Sequence, residues 1–184
     1  MHWGCLDLLK WGTKMRLNIL LAAAAATLVV ATPAAAQLRT ASGTAKGTVL
    51  SPLSLVNSGD LDFGTVASTN ALGTVAVDAD TGLRTVSGGV VPVPSSPTRA
   101  RFDGLGQAGQ TVILTLTPPT GNVLVSGTNS VTVNSLSLDQ SGATTRVIGS
   151  GGNFTVYVGG DFGIAANQPN GTYSALFTLT ADYQ

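Results

Sequence analysis

The sequence predicts an all-β fold, an antiparallel β-sandwich, and three observations support this. The chain has 184 residues, 23 of them glycine, and threonine, valine and serine are abundant after residue 37. This mixture of β-branched residues and turn formers is typical of short strands joined by tight turns. Turn signals recur about every ten residues, the spacing of sandwiches and barrels. No stretch after residue 37 keeps an apolar period of 3.6 residues, so we expect essentially no helix. A small β-barrel is the alternative.

The N-terminal residues are expected to be removed before folding. Lys14 and Arg16 give a basic start, and an apolar stretch over residues 19–31 ends before a proline. Three alanines then end at Ala36. This order is typical of a secretory signal peptide and predicts cleavage between Ala36 and Gln37. The apolar stretch is shorter than the ~20 residues that span a bilayer, and an uncleaved anchor is the alternative.

The first fourteen residues differ from everything that follows. They contain both tryptophans, the only histidine and the only cysteine of the chain. One hypothesis is that Met15 is the true start and that residues 1–14 extend the reading frame; the alternative is a start at Met1. We expect residues 1–36 to be the signal peptide, 37–47 a flexible N-terminal segment, and 48–184 a single sandwich domain.

The composition of residues 37–184 argues against catalysis. This part of the chain has no His, Cys or Glu, and its formal net charge is −2. General acid–base catalysis and metal sites usually depend on the missing residue types. We therefore expect no enzyme, no cofactor, no nucleic-acid partner and no membrane span after signal cleavage. The alanine-rich signal favours export in a Gram-negative bacterium, to the periplasm, the cell surface or the medium.

Alternating apolar and polar residues predict eleven strands, each bounded by Gly, Pro, Asn or Asp turns. In order they cover residues 48–56, 61–66, 73–78, 83–86, 90–93, 99–102, 110–117, 123–125, 131–138, 153–158 and 172–183. Pro52 makes the first an edge or bulged strand. Pro118 and Pro119 force a turn after the seventh. The Gly-rich residues 142–152 are expected to be a hairpin loop within the one domain. Together the elements predict an Ig-like sandwich.

The last predicted strand has the clearest pattern. Apolar residues take every second position, so their side chains are expected to share one face: Tyr173, Ala175, Phe177, Leu179, Ala181 and Tyr183. The opposite face is polar apart from Leu176. Asn170 and Gly171 supply the turn that begins the strand.

This segment resembles the C-terminal strand of pilins assembled by the chaperone–usher route. The shared features are a glycine fourteenth from the end, here Gly171, the apolar alternation, and a penultimate tyrosine, here Tyr183. In those pilins the periplasmic chaperone adds its own strand beside this one. The resemblance implies that neighbouring copies of the chain, or a periplasmic chaperone, bind here by β-strand addition.

A longer region, residues 48–183, is similar to an uncharacterised bacterial secreted family related to fimbrial major subunits, domain-of-unknown-function family 4402. The similarity rests on the motifs at residues 52–55, 61–66, 158–160 and 171–173. It implies a non-catalytic structural or surface-interaction role as a pilin or fimbrial-subunit-like domain in cell adhesion. The alternative is a self-contained monomeric periplasmic or cell-envelope binding domain that does not polymerise.

Two weaker sets of candidates complete the prediction. Leu38, Ala41 and Ala45 are donor-strand candidates in the segment before the first strand, although this segment lacks a clean apolar alternation. Asp78 and Asp80 form the Asp-x-Asp-x-Gly opening of a calcium loop. The glutamate that completes an EF-hand is missing, and a plain β-turn is the alternative.

Overall fold

The computed structural model describes residues 39–184. The predicted signal peptide, its cleavage site, both candidate start residues and Leu38 lie outside this range. Contacts divide the chain into two units, Met1–Ala45 and Lys46–Gln184. In the first unit, residues 39–45 are exposed and have no regular secondary structure. The strands described below lie in the second unit.

Within residues 39–184 the chain forms ten strands and two short helical turns. The strands are β1 (Ser54–Gly59), β2 (Val66–Val77), β3 (Arg84–Pro92), β4 (Ala100–Leu105), β5 (Thr111–Thr117), β6 (Val123–Ser126), β7 (Asn129–Leu138), β8 (Thr145–Val147), β9 (Asn153–Ile164) and β10 (Thr178–Tyr183). The turns are Thr120–Asn122 and Asp139–Gly142. In this part of the chain no helix is long and apolar enough to cross a membrane. The predicted all-β fold is confirmed.

The strands form two antiparallel sheets of seven and three strands. The long strand β9 is central in the larger sheet. Its first half pairs with β4 and its second half with β2, while β7 runs along its other edge. β1, β3 and β6 pair with β4, β2 and β7 respectively. The smaller sheet has the order β10-β5-β8. Both sheets are open within the described residues, so the chain forms a sandwich and not the alternative barrel.

The main core lies between the two sheets. The larger sheet contributes Phe102 and Val156, and the smaller sheet contributes Val112, Leu114 and Leu179. Alternation explains the smaller sheet's part, because in β5 the apolar residues at even positions point inward while the intervening positions carry threonines and an isoleucine that face outward. Burial of these apolar side chains is the main force that holds the sheets together.

A second apolar cluster lies on the other half of the larger sheet. Its buried members are Val75, Val90, Val131, Phe162 and Ile164. Phe63, Val66, Val86, Leu124 and Tyr173 pack against it. None of these described residues belongs to β5, β8 or β10. This half of the sheet is therefore covered by the segments around Phe63 and Tyr173 instead of by a paired strand.

The strand predicted over residues 61–66 is wrong. Asp62 makes only an isolated bridge with Thr98. Its side-chain Oδ1 accepts a hydrogen bond from the Gly64 N–H at 2.7 Å, and Gly64 has φ +73°. When an aspartate side chain accepts a hydrogen bond from the backbone N–H two residues later, the chain forms a turn and does not continue as a strand. Leu61 and Phe63 are both apolar because each packs against a different cluster: Leu61 against the main core and Phe63 against the second cluster.

Two other strand predictions need correction. Residues 83–86 and 90–93 were predicted as separate pieces, but β3 runs through Gly88 and Gly89. These glycines lie beside an irregularity in β2, where the register shifts between Ser68 and Gly73. β8 lies inside the predicted hairpin loop 142–152, and its central residue Arg146 points into the protein.

Arg146 belongs to a buried ion pair that the sequence analysis missed. Its Nη2 lies 2.5 Å from Asp139 Oδ1, and both residues are buried, at 5% and 8% exposure. Arg146 Nη1 donates to the carbonyls of Ala143 and Thr145, each at 2.8 Å. Asp139 Oδ1 also accepts from the Tyr157 N–H at 3.1 Å. The pair joins the end of β7 to β8 and β9.

Candidate functional site

The C-terminal strand is the centre of the candidate site. Of the six apolar residues predicted to share a face, Leu179 is buried, four are half-buried and Ala175 is exposed. On the opposite face Leu176 is 92% exposed. The alternation of more buried and exposed side chains therefore begins at Tyr173, before the first residue of β10. Hydrogen-bonded pairing with β5 begins only at Thr178.

The prolines after β5 explain this late start. Thr178 pairs with Thr117, the last residue of β5, and Pro118 and Pro119 follow. Proline has no N–H and cannot continue a ladder. The chain before Thr178 instead reaches β6, where Ser174 and Val125 exchange both backbone hydrogen bonds at 3.0 Å. Residues 172–183 thus contact both sheets, the larger one through the bridge at Ser174 and the smaller one through β10.

The hydrogen-bond pattern leaves one edge of this segment open. The Gln184 N–H donates to the Thr111 carbonyl, and Ser174 pairs with Val125, so the even-numbered residues direct their backbone groups toward β5 and β6. Successive residues of an extended chain direct these groups to opposite sides. The N–H and C=O groups at odd positions of β10 therefore face the other side, and those of Tyr173, Ala175 and Phe177 have no hydrogen-bonded partner among the described residues. No strand of the described chain pairs there. We call this row the open edge.

A cavity of about 430 Å³ lies beside the first half of the open edge. Tyr173, Ala175 and Phe177 line it on one side. The inner face of the larger sheet lines it on another side, with Val131, Val133, Leu136, Phe162 and Ile164. Asp62 is the only charged residue of the lining. The lining also includes the polar residues Thr65, Ser95, Gln168, Thr172 and Ser174. A cavity of this size whose lining is more apolar than polar is typical of a binding site.

The turn at residues 61–66 forms the opposite wall of the cavity. Phe63 stacks edge-on against Phe162, with ring centroids 4.8 Å apart. Arg84 fixes the turn: its Nη1 donates to the Phe63 carbonyl at 3.2 Å, to the Thr65 carbonyl at 3.1 Å and to Ser95 Oγ at 3.0 Å. The wall is therefore held by hydrogen bonds and is preformed.

Tyrosines position both ends of the C-terminal segment. The Tyr173 hydroxyl donates to the Pro169 carbonyl at 2.7 Å and accepts from Gln168 Nε2 at 2.8 Å. The Tyr183 hydroxyl donates to the Ser51 carbonyl at 2.8 Å and accepts from the Gln107 N–H at 2.7 Å. Gly171, the first residue of the predicted interaction strand, is exposed in the preceding bend.

The predicted donor residues within the described range have no regular secondary structure. Ala41 and Ala45 are exposed, as are all residues from 39 to 50, and none of them is in a strand. Val49 is 94% exposed. The chain first becomes half-buried at Leu53, which packs against the main core.

The two calcium candidates are engaged by the protein itself. Asp78 Oδ1 accepts from the N–H and the hydroxyl of Thr81, both at 2.7 Å. These bonds lower the pKa of Asp78. Asp80 Oδ1 accepts from the Gln140 N–H at 2.5 Å, across to the turn that follows β7. In residues 39–184 no group of three or more His, Cys, Asp or Glu could hold a metal ion.

Asp103, on the outer face of β4, makes stability dependent on pH. Hydrogen bonds from Ser58, Thr155 and Arg101 lower its pKa to about 2. A carboxylate with a depressed pKa stabilises the fold above its ordinary pKa, and this contribution disappears as the pH falls from about 4 to 2. We expect Asp103→Asn to lose less stability than the wild type over this interval, measured as the urea midpoint at pH 5 and pH 2.5. Asp182→Asn controls for the loss of one surface carboxylate, and equal losses in wild type and Asp103→Asn would contradict the prediction.

Comparison with known proteins gives one match. The family model described as "Domain of unknown function (DUF4402)" matches residues 53–183. Searches of curated proteins and of solved structures gave no match. The match begins one residue before β1 and ends at Tyr183, so it includes both walls of the cavity and the open edge. This chain therefore belongs to the DUF4402 family.

Proposed function

We propose that this protein is an exported, non-catalytic structural or surface-interaction subunit, similar to a pilin or fimbrial subunit, that binds a β-strand from another chain. The observation that carries the proposal is the open edge. Six residues of the C-terminal segment, three of them in β10, have backbone groups with which no described strand pairs. Such an edge is a template for pairing with another chain, and strand addition is a recurrent mode of peptide recognition.

The position of the cavity supports the same function. An added strand directs alternate side chains to each face of the sheet. Beside the open edge, one of these faces is the mainly apolar cavity. Backbone hydrogen bonds would supply affinity, and the cavity would supply selectivity. The lack of His, Cys and Glu after residue 37 supports a non-catalytic role.

The test is a substitution that blocks only the open edge. The backbone N–H of Ala175 faces this edge, and Ala175 has no hydrogen-bonded partner among the described residues. We expect Ala175→Pro to keep the fold. Proline has no N–H, so the variant loses the backbone donor at position 175 that would bond to the added strand. The chain purified from its exporting host should form assemblies, with other copies or with another exported protein, in size exclusion with light scattering, and Ala175→Pro should shift them to the mass of the free chain.

The control is Leu176→Ser, which changes a neighbouring side chain on the exposed face and leaves the edge intact. It should assemble like the wild type. Far-UV circular dichroism and thermal melting establish that all three proteins are folded. If the wild type is a monomer with a sharp melting transition and neither substitution changes it, the strand-binding proposal fails and the self-contained monomeric domain is the correct alternative.

A further inference from the structure

We infer that the strand bound at the open edge comes from a different exported protein, carries bulky apolar side chains at alternate positions, and is not the N-terminal segment of a second copy. This inference rests on the strand addition proposed above. It concerns the identity of the partner, and it follows from the size of the cavity, the side chains of the N-terminal segment and the charges around the edge.

The cavity sets the size of the side chains required. In the inward row Tyr173, Ala175 and Phe177, the middle residue is small, and its side chain is exposed because nothing covers it. A strand paired along this row places every second side chain on the same face, next to Ala175. The apolar part of the lining consists mainly of aromatic and branched side chains, beside polar residues such as Thr65, Ser95 and Gln168, and the cavity has a volume of about 430 Å³. Several large apolar side chains are needed to fill that volume, since packed protein interiors leave few voids.

The N-terminal segment has the alternation of a strand but not the bulk. From Thr40 to Thr48 every even position is polar, and the odd positions from 41 to 47 alternate alanine with glycine. Two methyl groups and two hydrogens would leave most of the cavity empty, and an unfilled apolar cavity forfeits the contacts that stabilise a complex.

The larger residues of this segment are too close to their own domain to serve. Val49 and Leu50 lie within two residues of Ser51, whose carbonyl accepts the hydroxyl of Tyr183 in its own chain. Consecutive residues span at most about 3.6 Å each, so these two side chains stay near the end of their own β10. Between residues 40 and 48, the part of the segment that is free to reach a neighbour therefore offers only alanine and glycine in its apolar row.

Charge indicates what the partner carries outside its apolar row. Asp62 is the only charged residue of the cavity lining, and Asp182 is the only charged residue of β10. A partner strand with lysine or arginine at its ends meets complementary charge at both places, and an acidic strand is repelled.

The experiment uses the full chain and three labelled twelve-residue peptides, with binding measured by fluorescence anisotropy and the melting temperature by differential scanning fluorimetry. The first peptide has Val, Phe, Leu and Ile at alternate positions, Thr between them and Lys at both ends. The second is residues 37–48 of this chain, which contain all three donor candidates and exclude Val49 and Leu50. The third is a scrambled form of the first. We expect the first to bind at least ten-fold more tightly than the other two and to raise the melting temperature by several degrees.

Two substitutions test the cavity. Ala175→Phe places a ring where the partner's side chain should lie and is expected to weaken the first peptide at least ten-fold. Leu176→Phe adds a ring of the same kind on the exposed face and should leave binding unchanged. Unchanged binding to Ala175→Phe would overturn the assignment of the cavity. If that variant does not fold, the comparison of the three peptides on the wild type still decides the matter.

The outcomes separate this inference from the proposed function. Equally tight binding of residues 37–48 would overturn the inference and leave strand addition intact. Equal binding of the scrambled peptide would mean non-specific apolar association and would overturn the inference. If no peptide binds and Ala175→Pro also changes nothing, both proposals fail.

Discussion

Replacing Asp139 with alanine is expected to lower the free energy of unfolding by about 3–5 kcal/mol, because it leaves a buried guanidinium without its counter-charge. Arg146 is only 5% exposed and cannot turn its charge to solvent without moving β8. Asp139 Oδ1 is the carboxylate oxygen bonded to Arg146, and it also accepts from the Tyr157 N–H. The substitution thus removes at once the acceptor of a buried donor and of a part-buried one.

The geometry of the pair suggests that it adds little stability of its own. Arg146 Nε is buried and has no hydrogen-bond partner among the described residues. Removing two charges from water costs several kcal/mol each, and an incompletely bonded pair recovers this cost poorly. We therefore expect the double variant Asp139→Leu with Arg146→Met to recover most of the stability that Asp139→Ala loses.

Urea denaturation followed by circular dichroism measures both variants, and the double variant is the control for the change at position 139 alone. A loss below about 1 kcal/mol in Asp139→Ala would mean that the guanidinium finds water in the folded state. A double variant no more stable than Asp139→Ala would mean that the ion pair is required for the path of the chain from β7 to β8.

Much of the fold could be predicted because alternation and burial are local properties of a strand. In β5, the even positions are apolar and three of the odd positions are threonine, and the strand lies where it was predicted. The failures have local chemical causes. Asp62 uses its side chain to form a turn within a segment that reads as a strand. Arg146 points inward from β8, so a buried position reads as a polar loop residue.

The candidate site could be predicted only in part. The sequence identifies the face shared by Tyr173 and Tyr183, since that depends on residue order alone. It does not identify the open edge, because which side of a strand is paired depends on residues far away in the chain. Pro118 and Val125 determine where residues 172–183 find their partners. The cavity is likewise non-local, since its walls come from the turn at residues 61–66, from β7 and β9, and from the C-terminal segment.

Replacing Gly64 with alanine is expected to lower the free energy of unfolding by about 2–4 kcal/mol. About 1–2 kcal/mol comes from the left-handed backbone, with φ +73°. The remainder comes from crowding, because the new Cβ would overlap Ser95 Oγ and lie 2.7 Å from Arg84 Nη1. Ser95 Oγ accepts from the Thr65 N–H and donates to the Val93 carbonyl, and Arg84 Nη1 donates to the Thr65 carbonyl. Displacing these atoms therefore costs hydrogen bonds of about 0.5–1.5 kcal/mol each.

Gly127→Ala is the matched control, since Gly127 also has a left-handed φ of +60° but nothing lies within 4 Å of its Cβ position. It should cost only the backbone part, about 1–2 kcal/mol. The difference between the two variants in urea denaturation therefore measures how firmly Arg84 and Ser95 hold the wall of the cavity. A difference near zero would mean that these side chains move aside freely. The turn at residues 61–66 would then be soft, and the cavity beside the open edge would change shape with its occupant.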